Sequence, residues 1–460
     1  MTSVKTIDNK FNLINNRVKY GTNNGILVDT KTLIVDNSNN RVGIDTLRPQ
    51  ATLDVSGSLI IDTNNIINPS GVSINTGTDT QILSNINNNI AWSYNQEIFD
   101  GANMFAQNTT TTFITGIPNI NQAWFGGVLG SNGKIYTTPY SSPTTLILNP
   151  VTETYIQQNV TAPNNTFYSG GVCTNGKIYY FSIGALTPIL VNDIINNRFY
   201  NIPINYGSNV GGYCGCCLGA NGKIYAIPRY ADNVLVLDPK DESYYFLTSP
   251  YIISGVVDSR YRRKWAFGVL APNGIIYCMP SFETFFLKIN TNDDTIDALT
   301  NGPILAPTSE AVANSEKYQG GALAPNGKIY AMPFSNTGPN TGRFVLEVDP
   351  VANSYIDLSG AGTISIGSTR NYVGATCGFD GNIYSTGELG SSVLRINTST
   401  TPVTMTTVGS INRTWGGVLA PNGKIYFNPR PNVGTSWTYI KTGLPQSAEP
   451  WMLAPEFNKL

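Results

Sequence analysis

Histidine is absent from this chain of 460 residues, and charge is scarce: 28 Lys+Arg against 29 Asp+Glu make 12% charged residues and a net charge of −1. An ordinary soluble domain carries about 25% charged residues. Without histidine there is no Ser-His-Asp or Cys-His catalysis, no His-ligated zinc, copper or iron, and no imidazole pH switch. The balanced charge argues against nucleic acid, which demands a basic surface. Long apolar runs are missing as well. Nothing approaches the ~20 residues of a membrane helix, and residues 1–20 lack the apolar core of a signal peptide, so neither membrane insertion nor a leader is expected. What is present is 45 Gly, 25 Tyr and 41% hydrophobic residues, too apolar for a disordered chain.

The glycines belong to a phrase that returns seven times. Its first copy is Gly126-Gly127-Val128-Leu129-Gly130-Ser131-Asn132-Gly133-Lys134-Ile135-Tyr136, and its last is Gly416-Gly417-Val418-Leu419-Ala420-Pro421-Asn422-Gly423-Lys424-Ile425-Tyr426. The turn glycines fall at 133, 176, 222, 274, 327, 381 and 423, with separations of 43, 46, 52, 53, 54 and 42 residues. Asn-Gly between apolar runs predicts a hairpin with a type I′ turn. Each hairpin is followed by a third strand, such as Val234-Leu235-Val236-Leu237 before Asp238-Pro239, and by a fourth, such as Tyr244-Tyr245-Phe246-Leu247. Four strands every ~40–50 residues is the repeat of a propeller blade. The predicted fold is all-β, a seven-bladed β-propeller over residues 101–445.

Closure of the ring is also legible. The seventh repeat supplies only three strands, the third being Ser436-Trp437-Thr438-Tyr439-Ile440, while an orphan strand, Thr111-Thr112-Phe113-Ile114-Thr115-Gly116-Ile117, precedes the first repeat. The orphan is expected to complete blade seven and so remove an open edge. Residues 446–460 form a tail with apolar residues and no predicted place. Residues 1–100 lack the phrase and are Asn-rich, with nine Asn in the first fifty residues. Their short strands bury too little to fold alone, which predicts a small fibrous or oligomerising β domain, trimeric or stacked.

Within that segment, Arg41-Val42-Gly43-Ile44, Pro49 and Leu53-Asp54-Val55-Ser56-Gly57 resemble a pattern found in tail-fibre and spike proteins of phages and large DNA viruses, with Asp45 where a second Gly is usual. The propeller phrase is similar to kelch-like repeats of bacterial and giant DNA virus proteins, although in true kelch repeats Gly-Gly follows the second strand. The resemblances imply a virion protein, at the surface or in a fibre and made in the host cytoplasm. Its N-terminal segment would anchor it or join copies as a homo-oligomer such as a trimer, and its propeller would bind a host glycan, a host receptor or another virion protein. They imply no cofactor.

Two sets of residues are candidates for contact. Counting back from each turn glycine places an aromatic at the start of the inner strand: Trp124, Tyr168, Tyr213, Trp265, Tyr318, Tyr372 and, one residue out of step, Trp415. Such rings either stack on sugars or wedge neighbouring blades together. The second set follows the proline that ends the second strand, where Tyr140, Arg229, Ser281, Phe334 and Arg430 vary from blade to blade and the arginines suit a carboxylate or sulfate. Arg260, Arg262, Arg263 and Lys264 read as a solvated basic loop. Lys134, Lys177, Lys223, Lys328 and Lys424 read as solubilising hairpin lysines or a partial anion-binding ring.

The six cysteines carry no metal-site spacing. Cys216 and Cys217 are adjacent and point to opposite sheet faces, and no disulfide framework is implied. No catalytic residue is assigned. Sialidase boxes are absent, and galactose-oxidase-like copper needs histidine. The reading is a non-enzymatic virion structural or attachment protein. The alternatives are a carbohydrate-active propeller enzyme using carboxylates such as Glu283, Glu310 or Glu388, and a scaffold between virion proteins.

Overall fold

A computed structural model describes residues 111–117, 123–160, 168–184, 186–206, 211–253, 263–303, 305, 316–334, 344–359, 372–387, 392–409, 411, 414–429 and 436–442, together with backbone strands in the first 101 residues. The chain divides into two units, Met1–Gly101 and Ala102–Leu460. In the first unit, strands Leu33–Asp36 and Arg41–Ile44 pair antiparallel, and Arg41–Ile44 pairs in parallel with Leu53–Val55. The fibre-like motif thus lies on two paired strands. The oligomerising role drawn for residues 1–100 and the tail 446–460 lie outside the described residues.

The second unit is seven four-stranded antiparallel sheets. Six are sequential, beginning with Trp124–Leu129, Ile135–Pro139, Thr144–Asn149 and Thr154–Asn159. The seventh takes Thr414–Leu419, Lys424–Pro429 and Ser436–Lys441 from the C-terminal repeat, and its outer strand is Thr112–Thr115. Ile114 pairs with Trp437 and Phe113 with Thr438, so the two ends of the propeller share one sheet, as the orphan strand predicts. Outer strands are mostly exposed or half-buried, whereas inner and second strands are buried along most of their length. That is the pattern of sheets packed face to face around a ring.

The hairpins differ from the expected type I′ form in six of the seven blades. Gly133 N–H donates to Gly130 O at 2.9 Å, and Gly274 N–H to Ala271 O at 3.0 Å. Only the glycines, not the asparagines, take positive φ there, as at Gly133 (74°) and Gly274 (80°). This is a type I turn followed by a left-handed glycine. The physical reason is one additional residue, and three copies read Ala-Pro-Asn-Gly: Pro272, Pro325 and Pro421 fix φ near −65° at the first turn position. Blade two, one residue shorter, keeps the two-residue form, with Asn175 and Gly176 at φ 53° and 72°.

The turn asparagine also ties blades together. Asn422 Nδ2 donates to Tyr426 Oη at 3.0 Å and to Pro150 O of blade one at 2.9 Å, across the ring closure. Asn273 reaches Tyr277 and Pro350 O of the next blade in the same way. The lysines after the turns are neither free solubilising charges nor an anion ring in four of the five cases. Lys177 contacts Glu242 at 2.8 Å, Lys223 Nζ lies 3.9 Å from Asp294, and Lys424 contacts Glu153. Each of these acids sits at the left-handed position of the following blade's outer hairpin (Glu153 φ 53°, Glu242 φ 62°, Asp294 φ 60°). Tyrosines complete the tie: Tyr179 and Tyr200 donate to Glu242, and Tyr225 and Tyr245 to Asp294. Lys328 pairs within its own blade, with Glu347.

Two outcomes follow. A chain beginning at Ala102 retains the melting temperature of the propeller, whereas one beginning at Asn119 loses blade seven's outer strand together with Ile117, which is 2% exposed. The loss is at least about 2 kcal/mol, read by urea unfolding, and the opened edge promotes association. For Glu242, burial raises the carboxyl pKa, but Lys177, Tyr200 and Tyr179 outweigh it and hold the group below its ordinary 4.5. A carboxylate depressed in the folded state stabilises above its unfolded pKa and loses that contribution as pH falls through the folded value. Glu242→Gln is therefore expected to cost about 1 kcal/mol at pH 7, and the gap to the native protein narrows when denaturation is repeated below pH 4.

Candidate functional site

Each inner strand contains one extra residue relative to its partner. Trp124 pairs with Pro139 and Gly127 with Thr137, and the same shift recurs in all seven blades. This bulge separates two neighbouring side chains. The residue before it turns between blades: Trp124, Tyr168, Tyr213, Trp265, Tyr318 and Tyr372 are all buried, each packed in a side cluster rather than the central one. Trp124 Nε1 donates to Thr144 O at 2.8 Å, and Trp265 Nε1 to Phe285 O at 3.0 Å. Six of the seven predicted ring aromatics are wedges.

The seventh is different. Trp415 is out of step in sequence because Thr414, buried and bonded to Thr386 at 2.8 Å, holds the wedge position of blade seven. Trp415 instead occupies the next position, which faces the central channel. There it meets Phe125, Cys214, Ala266, Phe267, Val373 and Phe334, with Tyr140 and Ile183 at the margin. Of the second predicted set, Tyr140, Arg229 and Phe334 converge on this mouth, and Arg430 lies outside the described residues.

Phe267 closes the channel. In the other six blades the bulge holds a glycine at positive φ, such as Gly126 at 71° and Gly416 at 67°, whereas Phe267 is forced to φ 62°. A bulky residue there is strained by roughly 1–2 kcal/mol. Its ring lies parallel to Phe125, from three blades away, with centroids 5.8 Å apart and 8° between planes. A Cβ on Gly215 would come within 2.4 Å of the Phe267 ring, so Gly215 makes the room. Phe125 in turn contacts Trp415 (4.3 Å) and Tyr140 (5.6 Å). The mouth therefore has an aromatic floor.

Its wall on blades three to five is charged. Arg229 is buried rather than exposed, and its Nη2 donates to Glu316 at 2.8 Å. Arg263 binds the same carboxylate oxygen, and Gln319 donates to the other. Burial raises the Glu316 pKa, yet the two guanidinium groups bring it below its ordinary value. Arg229 also approaches Cys214 Sγ at 3.7 Å and lies 5.7 Å from the Tyr230 ring centre. Lys264, placed by sequence in a solvated loop, is 1% exposed, with Nζ on Asp232 at 2.9 Å and Ile252 O at 3.0 Å. Arg263 is half-buried, and Arg260 and Arg262 lie outside the described residues.

A backbone belt fixes the wall. Phe334 N–H donates to Lys317 O, Lys317 N–H to Ser281 O, Ser281 N–H to Lys264 O, Lys264 N–H to Arg229 O and Arg229 N–H to Gly212 O, at 2.8–3.1 Å. It runs through three blades and strings the residues after the second strands to those before the inner strands. Two side chains on it, Ser281 through Oγ and Arg229 through Nε, carry buried atoms with no hydrogen-bond partner among the described residues, as does the neighbouring Glu283 through Oε1. Burial raises the Glu283 pKa against the opposing pull of Lys264 and Lys317. Of the sequence's other carboxylates, Glu310 and Glu388 lie outside the described residues. All six cysteines are buried and none forms a disulfide. Cys216 and Cys217 enter different inter-blade clusters, as their adjacency requires.

No protein-family model matches this chain, and no curated protein does. Solved structures do. Virginiamycin B lyase from Staphylococcus aureus superposes with a TM-score of 0.55 at 9% identity, over 72% of this chain and 99% of that one. A streptogramin B lyase gives 0.51 at 14% identity, over 72% and 98%. YCF48 bound to D1 peptide gives 0.50 at 9%, over 74% and 97%. At these identities the likeness is one of fold.

The strain at Phe267 makes a prediction with an unusual order. Both Phe267→Ala and Phe267→Gly lose the buried ring, at about 3–5 kcal/mol. Glycine ordinarily costs a strand roughly 0.5–1 kcal/mol more than alanine, but here it alone relieves the positive φ. Phe267→Gly is expected to be the more stable of the two by about 1 kcal/mol, and both should make Trp415 more accessible to acrylamide quenching. An alanine variant more stable than the glycine one would remove the claim of strain.

Proposed function

We propose that this chain is a non-enzymatic virion structural and attachment protein, in which residues 1–100 anchor it or join copies and the channel mouth of the propeller binds a host glycan. One observation carries the binding half. The mouth combines an aromatic floor of Phe125, Tyr140 and Trp415 with guanidinium groups of Arg229 and Arg263, all held by strand ends and a backbone belt. Sugars are bound by this pairing of flat apolar rings with fixed hydrogen-bond donors. Support for the virion half is the fibre-like pattern between Arg41 and Gly57.

The fold also hosts lyases, but the S. aureus lyase has a histidine-to-alanine variant described as catalytically inactive, and this chain has no histidine to serve in that role. A second reading, a carbohydrate-active enzyme, draws on Glu283, a buried carboxyl held above its ordinary pKa as a general acid would be. Glycan-array binding followed by a turnover assay on each hit separates the two. Binding without release of sugar is the expected result. Release abolished by Glu283→Gln would replace attachment with hydrolysis. Binding only to other virion components, with the mouth covered in the intact particle, would make the protein a scaffold.

A further inference from the structure

Resting on that reading of the mouth, we propose that its ligand is an acidic sugar, with the ring on the aromatic floor and the carboxylate against Arg229 and Ser281. The Arg229 guanidinium has five N–H donors, yet Glu316 is its one strong acceptor among the described residues. Beyond Glu316 the guanidinium meets a thiol sulfur at 3.7 Å and the Tyr230 side chain, and Nε has no hydrogen-bond partner among the described residues although Arg229 is 6% exposed. Two guanidinium groups, Arg229 and Arg263, share a single Glu316 oxygen. Beside Arg229 Nε, one carboxylate oxygen thus serves two cations.

Ser281 adds a second donor. It occupies in blade four the position that Arg229 holds in blade three and Phe334 in blade five, immediately after the proline that ends the second strand. Phe334 and Tyr140, from this position, enter the central cluster, and the belt links Ser281 to Arg229 through one residue, Lys264. Ser281 is fully buried, and its Oγ has no hydrogen-bond partner among the described residues. A buried hydroxyl and a buried N–H left unmade are each costly. One carboxylate accepts from both. The aromatic side of the mouth, with Phe125 and Trp415 beside the half-buried Tyr140, offers no charge to such a ligand and suits the C–H face of a pyranose.

The test titrates N-acetylneuraminic acid and its methyl ester into the full-length chain, with saturation-transfer NMR and tryptophan fluorescence as readouts. The acid is expected to bind, and the ester to bind about tenfold more weakly or worse, because it loses a charge-assisted hydrogen bond. Arg229→Met is expected to abolish the preference. Since that change leaves Glu316 buried beside one fewer cation and can unfold the chain, Ser281→Ala is the second variant. It removes a hydroxyl with no hydrogen-bond partner among the described residues, so it keeps the melting temperature while weakening the acid several-fold. Equal binding of acid and ester, or a Ser281→Ala variant with native affinity, overturns the acidic-sugar assignment. If array hits are neutral glycans, attachment stands and this inference falls. If no sugar binds in either assay, both fall.

Discussion

One extra residue in each inner strand decides where everything else goes. A regular strand would send alternate side chains to opposite sheet faces along its whole length. The bulge breaks that alternation at the top of every blade, so that Trp124 wedges sideways while its neighbour Phe125 enters the channel. Glycine normally makes the left-handed turn this needs. Where blade four uses Phe267 instead, the ring projected from the strained backbone reaches Phe125 across the channel and closes it. Floor, wall and wedge are consequences of the same local geometry.

Scarce charge is concentrated at two levels. On the hairpin face it links consecutive blades, with Lys177, Lys223 and Lys424 each facing an acid of the next blade. These ties are partly exposed and individually modest, but one of them, Lys424 with Glu153, spans the ring closure and reinforces the shared strand of blade seven. At the mouth the charges are buried, and a buried ion pair adds little net stability because desolvation offsets attraction. Arg229, Arg263 and Glu316 therefore call for a different account from the hairpin lysines. A rigid polar wall beside an aromatic floor is a better description of a site than of a core.

Repetition made the fold legible. A phrase recurring seven times gives the blade count, and a strand missing at one end with an orphan at the other gives the closure. The turn type was misjudged because Asn-Gly outweighed the proline in front of it, although Pro272, Pro325 and Pro421 forbid positive φ one position earlier. The site was legible only in part. Tyr140, Arg229 and Phe334 are variable positions in a regular repeat, and variation pointed to them. Trp415 looked like a displaced wedge because sequence spacing does not show which side of a bulge a residue takes. That Arg229 is buried was invisible, since its partner Glu316 lies 87 residues away. Phe267 did carry a signal: it is the one bulge position in the seven copies that is not glycine.

That signal generalises within this molecule. A propeller built from near-identical units has no reason of stability to treat its blades differently, and on the hairpin face it scarcely does. At the mouth the blades differ all round, and blades three to five supply its polar residues: Cys214 beside the channel, Arg229 and Ser281 after the second strands, Glu316 before an inner strand. They touch one another or one belt of backbone hydrogen bonds. Set opposite the aromatic pair from blades seven and one, that arc gives a scaffold of repeated units a polar side and an apolar side.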